Sequence, residues 1–252
     1  MKILKEFLFK TKGGNKLLQF GIPDNDQELE KMFKLRYEVY SKMGYISPEM
    51  FPEKIEKDEY DKEKKCEYFV AKIDDQIVGS GRLIQSYYLP TEKECFRFEE
   101  PREMKNIPRN RRGEIGRLIV ARGNNNYIPP HLILLGILYS IMSFSFQKNL
   151  QFGYSFAKES LMKKMKKLGV PFHTIKPFTQ VYSKKYLYGY FHDKKDPAFP
   201  VYYSRDEAKK YLSKIFDNNK IFKKIGKKRY LYLLGGDDWK FLFHVKMFKF
   251  FH

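Results

Sequence analysis

Seven charged residues carry the chemical content of this chain, and all lie in its first 120 positions. Arg36 stands in Leu35-Arg36-Tyr37-Glu38-Val39-Tyr40, with Tyr40 four residues on. Glu56, Asp58 and Asp61 form an acidic run with Tyr60 between them, Arg82 ends Val78-Gly79-Ser80-Gly81-Arg82-Leu83, and Glu114 and Arg117 stand three apart in an apolar stretch. A charge taken from water without a partner costs several kcal/mol, so charges set in apolar runs must pair with each other or hold a polar ligand. Either outcome places them together. Arginines of this kind hold a carboxylate in a two-pronged pair, and a buried carboxyl such as Glu114 serves as a general base.

The remaining composition narrows the class. The chain has 252 residues, 42% hydrophobic and 17% aromatic, enough for a real core. Its 49 basic residues against 30 acidic give a net charge of +19, which calls for an acidic partner. No zinc-finger spacing or RNA-recognition consensus accompanies that charge, which argues against nucleic acid. Cys66 and Cys95 make no disulfide framework and sit near no activating histidine, and the five histidines have no metal-ligand spacing. A reduced, cytoplasmic setting without a metal is expected. The N-terminal segment has interspersed charge and no signal-peptide core. The longest apolar run, Leu132 to Phe146, is too short and too interrupted to span a bilayer and reads as a buried helix.

The elements that must position these charges follow from periodicity. Residues 27–43 have helical spacing behind a cap at Asp24 or Asn25. Residues 44–57 read as loop. Residues 68–84 read as a hairpin turning at 74–76. A short helix is expected near 99–105, a central strand over 115–121, and a helix opened by Pro129-Pro130 over 131–148. A strand over 152–157, a helix over 158–168 stopped by Gly169, strands near 170–175 and 179–190, and a helix over 206–216 capped by Ser204 complete the order. The tail from 218 is basic and aromatic, and its last stretch, 241–252, packs an aromatic face on the core or lies on an anionic membrane surface. Alternating strands and helices imply a mixed sheet with helices on its faces.

This order, with these residues, resembles the N-acyltransferases of the GCN5-related fold. Within them it resembles the branch that uses acyl carrier protein: acyl-homoserine-lactone synthases, N-acyl amino acid synthases and exosortase-associated acyltransferases. The residues that carry the likeness are Arg36 with Tyr40; Glu56, Asp58, Tyr60 and Asp61; Gly79, Arg82 and Leu83; and Glu114 with Arg117. The likeness extends over about residues 28–215. It implies a single α/β domain over 1–215, with a mostly antiparallel mixed sheet, and an extension over 216–252 packed on it. It also implies transfer of a fatty acyl group from an acyl carrier protein thioester to the amine of an amino acid or related metabolite, with no bound cofactor. Glu114 and Arg117 become the catalytic candidates. Arg36, Tyr40, Glu56, Asp58, Asp61 and Arg82 become substrate contacts, unless the acids only lock the arginines. Backbone N–H groups of Leu118, Ile119 and Val120 become oxyanion donors.

Two departures matter. The tryptophan that lactone synthases carry after the early arginine is replaced by Gly44-Tyr45-Ile46, which weakens the reading as an autoinducer synthase using S-adenosylmethionine. The stretch 122–130, where coenzyme A enzymes of this fold have a glycine-rich phosphate loop, keeps one glycine and ends in two prolines that lack N–H donors. A carrier-protein donor fits better than free coenzyme A. Arg109, Arg111, Arg112, Arg122, Lys163, Lys164 and Lys167 are the expected docking patch for that acidic carrier, against the plainer reading of a solvated basic face. A third possibility is a basic binding protein that has kept the fold without turnover.

Overall fold

The computed structural model describes residues 1–11, 14–63, 65–121, 128–235 and 238–247; for residues 238, 239, 242, 246 and 247 only the backbone is described. Among the described residues there are twelve strands: β1 (Lys2–Thr11), β2 (Gly14–Ile22), β3 (Cys66–Ile73), β4 (Gln76–Ile84), β5 (Phe96–Phe98), β6 (Arg112–Val120), β7 (Phe152–Lys158), β8 (Phe172–Thr174), β9 (Phe178–Gln180), β10 (Ala198–Ser204), β11 (Phe222–Lys224) and β12 (Arg229–Tyr232). The helices are α1 (Asp26–Lys42), α2 (Glu59–Lys62), α3 (Arg102–Lys105), α4 (Pro130–Gln147), α5 (Glu159–Leu168), α6 (Tyr188–Phe191), α7 (Arg205–Phe216) and α8 (Asp238–Met247). Ten strands form one sheet in the order β11-β12-β1-β2-β3-β4-β6-β7-β10-β8. Its pairs are antiparallel except β1–β12 and β6–β7.

Side-chain alternation gives the sheet two different faces. Phe69 and Ala71 of β3 join the main core with Leu132, Leu135, Leu138 and Ile141 of α4. Val70, between them, packs with Met32 and Phe33 of α1 on the other face. Helix α4 is apolar on all sides because β-strands, α7 and α8 surround it. Each fully buried Leu or Ile contributes roughly 1.5–3 kcal/mol, so this helix anchors the fold. It passes a length-and-composition test for a membrane span, yet it lies in the core. A Cβ on Gly136 would meet the Phe20 ring, which leaves no room there for an acyl chain.

Local signals explain the elements. Asn25 caps α1 by accepting from the Glu28 N–H at 2.9 Å. Asp74 and Asp75 both take positive φ (46° and 68°), forming the tight turn between β3 and β4. Gly169, at φ 84°, stops α5, and Ser204 accepts from the Glu207 N–H to cap α7.

Three features differ from the sequence expectations. The N-terminal hairpin β1–β2, unassigned from periodicity, extends the sheet. Residues 179–190 do not continue it: β9 pairs with β5 in a separate two-stranded sheet, and 185–191 form helical turns. Tyr182, Leu187, Tyr190 and Phe191 pack there with Phe96, so this segment is a strap held by its aromatic side chains. The next long strand is β10, at 198–204. The tail supplies β11, β12 and α8, and Phe241 and Val245 of α8 enter the main core. For α8 the core-packing alternative therefore holds.

Candidate active site

The central parallel pair sets the geometry. β6 and β7 are in register only from Arg112↔Phe152 to Ile115↔Ser155. Beyond that both strands continue but no longer pair. The cause lies on β6. Its register against β4 shifts between Ser80 and Arg82, and Arg117 takes φ +53°. This is a β-bulge with a non-glycine residue in the left-handed region, which costs on the order of 1–3 kcal/mol and persists where the surroundings enforce it. The bulge also inverts side-chain alternation. Ile115 joins the core on the α4 face, whereas Ile119, four residues on, joins the cluster on the α1 face. On a regular strand Glu114 and Arg117 would point to opposite faces. The bulge turns Arg117 onto the side of Glu114, and both line one chamber.

That chamber, about 250 Å³, is also lined by Asp58, Tyr60, Arg82, Glu94, Cys95, Lys184 and Tyr186. A second cavity of about 620 Å³ occupies the gap between the splayed strands, with residues 115–121 on one wall and 155–158 on the other. It reaches Val39, Tyr40 and Met43 of α1 on one face and Met165 and Phe172 on the other, so it passes through the sheet. Gly116, Arg117, Phe156 and Leu187 line both spaces.

The expected network of charges is present and closed on itself. Arg36 bonds Glu56, and its Nη2 donates to Asp61 Oδ2 at 2.9 Å. Arg82 donates twice to Asp58, at 2.6 and 2.7 Å. Arg117 donates from Nε to Glu56 at 3.0 Å, and from Nη2 to Asp58 at 2.8 Å and to the Tyr186 hydroxyl at 2.9 Å. Asp58 and Asp61 cap α2 reciprocally, each accepting from the other's backbone N–H. Three arginines thus meet three carboxylates, and the cluster balances. Burial alone would raise the Asp58 carboxyl, but Arg117 and Arg82 outweigh it and hold it below the usual range. Asp61 is likewise held far down by Arg36 and Arg82 against its burial.

This arrangement corrects several assigned roles. Arg36, Glu56 and Asp61 do not line the chamber; they stand one layer behind it and fix α1, α2 and the sheet together. Arg117 directs the described donors of its guanidinium to Glu56, Asp58 and Tyr186 and makes no bond to Glu114 among the described residues. Arg36→Ala is expected to cost about 3–5 kcal/mol, because it strands buried carboxylates. Thermal melting checks this, with Lys34→Ala on the exposed side of α1 as the neutral control.

Glu114 stands apart from the network. It is 1% exposed, and its Oε2 accepts from the Thr91 N–H at 2.8 Å. Burial pushes its carboxyl up to about 8, despite that bond. A base titrating there is matched to removing a proton from an amine. If Glu114 is the base, kcat/KM rises with pH along a limb near 8, and Glu114→Gln removes the limb. Folding shows the opposite trend. The native carboxyl holds its proton where the unfolded one, with its ordinary value near 4.5, has lost it. Stability therefore falls as pH rises from that value through about 8.

The backbone donor also has a place. The Ala121 N–H bonds the Val78 carbonyl at 2.8 Å. Backbone groups alternate sides along a strand, so the Val120 N–H points the other way, into the splay. Of Leu118, Ile119 and Val120, all of which line the splay, Val120 thereby has its N–H facing the gap. Tyr40 lines the same cavity under the Arg117 guanidinium, 5.6 Å from its ring centre.

Tyr186, Lys184 and Thr91 had no local sequence signal, and Tyr60 had none beyond its place in the acidic run. Tyr186, from the strap, bonds Glu56 and accepts from Arg117. Lys184 bridges Glu59 at 3.0 Å and Glu94 at 2.6 Å, clasping the strap over the chamber mouth. Tyr60 donates to Glu94 at 2.8 Å, and Thr91 holds Glu114. Their partners lie 23 to 130 residues away in sequence, beyond the reach of a spacing rule.

The docking residues separate. Arg112 is buried, donating to the Met104 and Ile107 carbonyls and to Glu100, so it is structural. Arg109 is tied to Glu92 and lies over Tyr88. Arg111 is exposed, but at the opposite end of β6 from the splay. Lys163, Lys164 and Lys167 are exposed on α5, and Lys164 lines the through-sheet cavity. Lys158 is buried against the Asp196 carbonyl at 2.6 Å and is no part of a patch. Arg122 lies outside the described residues.

A splayed parallel pair at the centre of a mostly antiparallel sheet, with a carboxyl beside the splay, defines the GCN5-related N-acyltransferase fold. The protein accordingly adopts that fold. Residues 31–152, just under half of the chain, match the sequence model of the family described as N-acyl amino acid synthase FeeM. The matched segment contains all seven charged residues of the opening set. A search of curated proteins returns no significant match. Among solved structures, the acyl-homoserine-lactone synthase LasI superposes with a TM-score of 0.55 at 17% identity, covering 78% of this chain and 93% of its own. TofI gives 0.54 at 15% identity, covering 78% and 95%. The coenzyme-A-dependent acyl-homoserine lactone synthase BjaI gives 0.50 at 13%, covering 88% and 92%. At these identities the likeness is one of fold.

Proposed function

We propose that the protein moves a fatty acyl group from an acyl carrier protein thioester to the amine of an amino acid or related metabolite, in the cytoplasm. The observation that carries this reading is the junction at Gly116 and Arg117. There a polar chamber holding a high-pKa carboxyl opens onto an apolar passage through the sheet. The thioester arm and acyl chain occupy the passage, and the amine approaches from the chamber. Glu114 takes a proton from the amine, whose nitrogen attacks the thioester carbon. The Val120 N–H stabilises the oxyanion. Collapse breaks the C–S bond, and the thiolate leaves with a proton returned through Glu114 or water. The closed arginine network keeps the chamber in shape and leaves substrate contact to Asp58, Arg82 and Arg117, which line its wall.

The start of α4 supports a carrier-protein donor over coenzyme A. Pro129 and Pro130 offer no N–H, and those of Leu132 and Ile133 already bond the Pro129 carbonyl at 2.9 and 3.4 Å. A pyrophosphate would find few donors there. The exposed lysines of α5, beside the passage, suit an acidic carrier.

Expression in a host that makes acyl carrier protein, followed by mass spectrometry of extracted lipids, tests the reading. New N-acyl amino acids support it. An acyl-homoserine lactone would favour the autoinducer alternative, and no new species across several chain lengths would overturn both.

A further inference from the structure

The end of the sheet remote from the site has its own chemistry. Between Asp217 and Asp237 the sequence has no acidic residue and six basic ones, Lys220, Lys223, Lys224, Lys227, Lys228 and Arg229. The fold concentrates them on the β11–β12 hairpin. Lys228 is tied to the Ile3 carbonyl and Arg229 to Glu6. The other four are exposed and make no ion pair among the described residues. At the turn, between the two lysine pairs, stands Ile225, 47% exposed. Leu233, just past β12, is 45% exposed.

The adjoining sheet face carries a short row of leucines outside every core cluster, flanked by Glu6, Gln19 and Arg229 on one side and Lys10 and Asn15 on the other. Leu17, Leu8 and Leu231 are direct neighbours across β2, β1 and β12, and Lys223 is next in the row. Helix α1 covers β4 and β6 on this side, and α4 covers the opposite face. Cross-strand pairing puts Lys223 on the leucine side of the hairpin and Lys224 on the other, with Lys227 at the tip.

We infer that this hairpin docks the protein on an anionic lipid bilayer, with Ile225 entering the interface and the lysines meeting headgroups. Two observations favour a bilayer over a folded acidic partner. Positive charge surrounds the tip on both faces instead of marking one flat patch. The apolar group projects at a turn, where a fluid interface accepts it without a preformed pocket. The inference is independent of the acyl donor and acceptor.

Sedimentation of the full chain with phosphatidylcholine vesicles, with and without phosphatidylserine, tests it. Binding is expected only with phosphatidylserine and is lost at high salt. Each lysine within reach of an anionic surface contributes about fivefold, so Lys223→Glu combined with Lys224→Glu and Lys227→Glu should weaken binding at least a hundredfold. Ile225→Asp should weaken it further. Acyl transfer between soluble substrates should be unchanged in all of these, which separates this test from that of the proposed reaction. Equal binding to neutral vesicles, no vesicle binding, or retention by the triple variant would overturn the inference. Loss of binding to an acidic protein or to nucleic acid, without vesicle binding by the native chain, would assign the patch to that partner instead.

Discussion

Glu114→Gln is expected to lower acyl transfer by roughly 10²- to 10⁴-fold, the usual yield of a positioned base, with little loss of fold. The carboxyl is buried, accepts from a backbone N–H, and belongs to no ion pair among the described residues. Glutamine keeps an acceptor oxygen for Thr91 and adds no charge. Because the native carboxyl holds a proton up to about pH 8, glutamine resembles its neutral form. Melting should therefore match the native protein at pH 6 and exceed it at pH 9, where the native carboxyl ionises inside the protein. Retained turnover would remove Glu114 from the chemistry, and collapse of the fold at pH 6 would make it scaffold. Arg36→Ala provides the contrast: it should lose stability first and activity as a consequence.

The second large effect is expected at Gly116. It lines both cavities, and a Cβ built there meets nothing within 4 Å. Its φ lies outside the left-handed region, so an L side chain adds no backbone strain. Gly116→Val should fold at least as well as the native chain, because a strand interior favours β-branched residues over glycine. It should nevertheless lose about a hundredfold or more in kcat/KM, since its methyl groups occupy the space where amine and thioester meet, and small misplacements there cost that much. Gly116→Ala should fall between the two. Steady-state kinetics beside circular dichroism decides the matter: a variant with native activity would show that the reacting groups meet elsewhere.

Much of this site was legible in the sequence, for a definite reason. Arg36, Arg82 and Arg117 sit inside or beside apolar stretches, where an unpaired charge is too costly, so their need for acidic partners follows from elementary energetics, and the acidic run is the nearest supply. Which of them touch substrate did not follow. The three-against-three balance, and the placement of Arg36, Glu56 and Asp61 behind the chamber, depend on helix and strand positions that no spacing encodes. Glu114 and Arg117 are instructive, because a spacing of three on a regular strand separates them. Only the bulge at Arg117 unites them, and nothing in Gly116-Arg117-Leu118 announces a left-handed arginine. The strap was missed because its aromatic residues alternate well enough to imitate a strand, whereas its anchors, Tyr186 on Glu56 and Lys184 on Glu59, cross more than 120 residues of sequence. The basic docking patch was over-read at Arg112 for the converse reason. A run of arginines looks like surface, but Arg112 spends its donors on backbone carbonyls.

The reaction itself can be measured directly. Purified protein is mixed with acyl-acyl carrier protein and a panel of amino acids, and free carrier thiol and new amide are quantified together. The account predicts amide and thiol in equal amounts with at least one amino acid, faster as pH rises toward 8, and neither product with Glu114→Gln. Thiol released without amide, or an intact thioester with every amine tried, would contradict it.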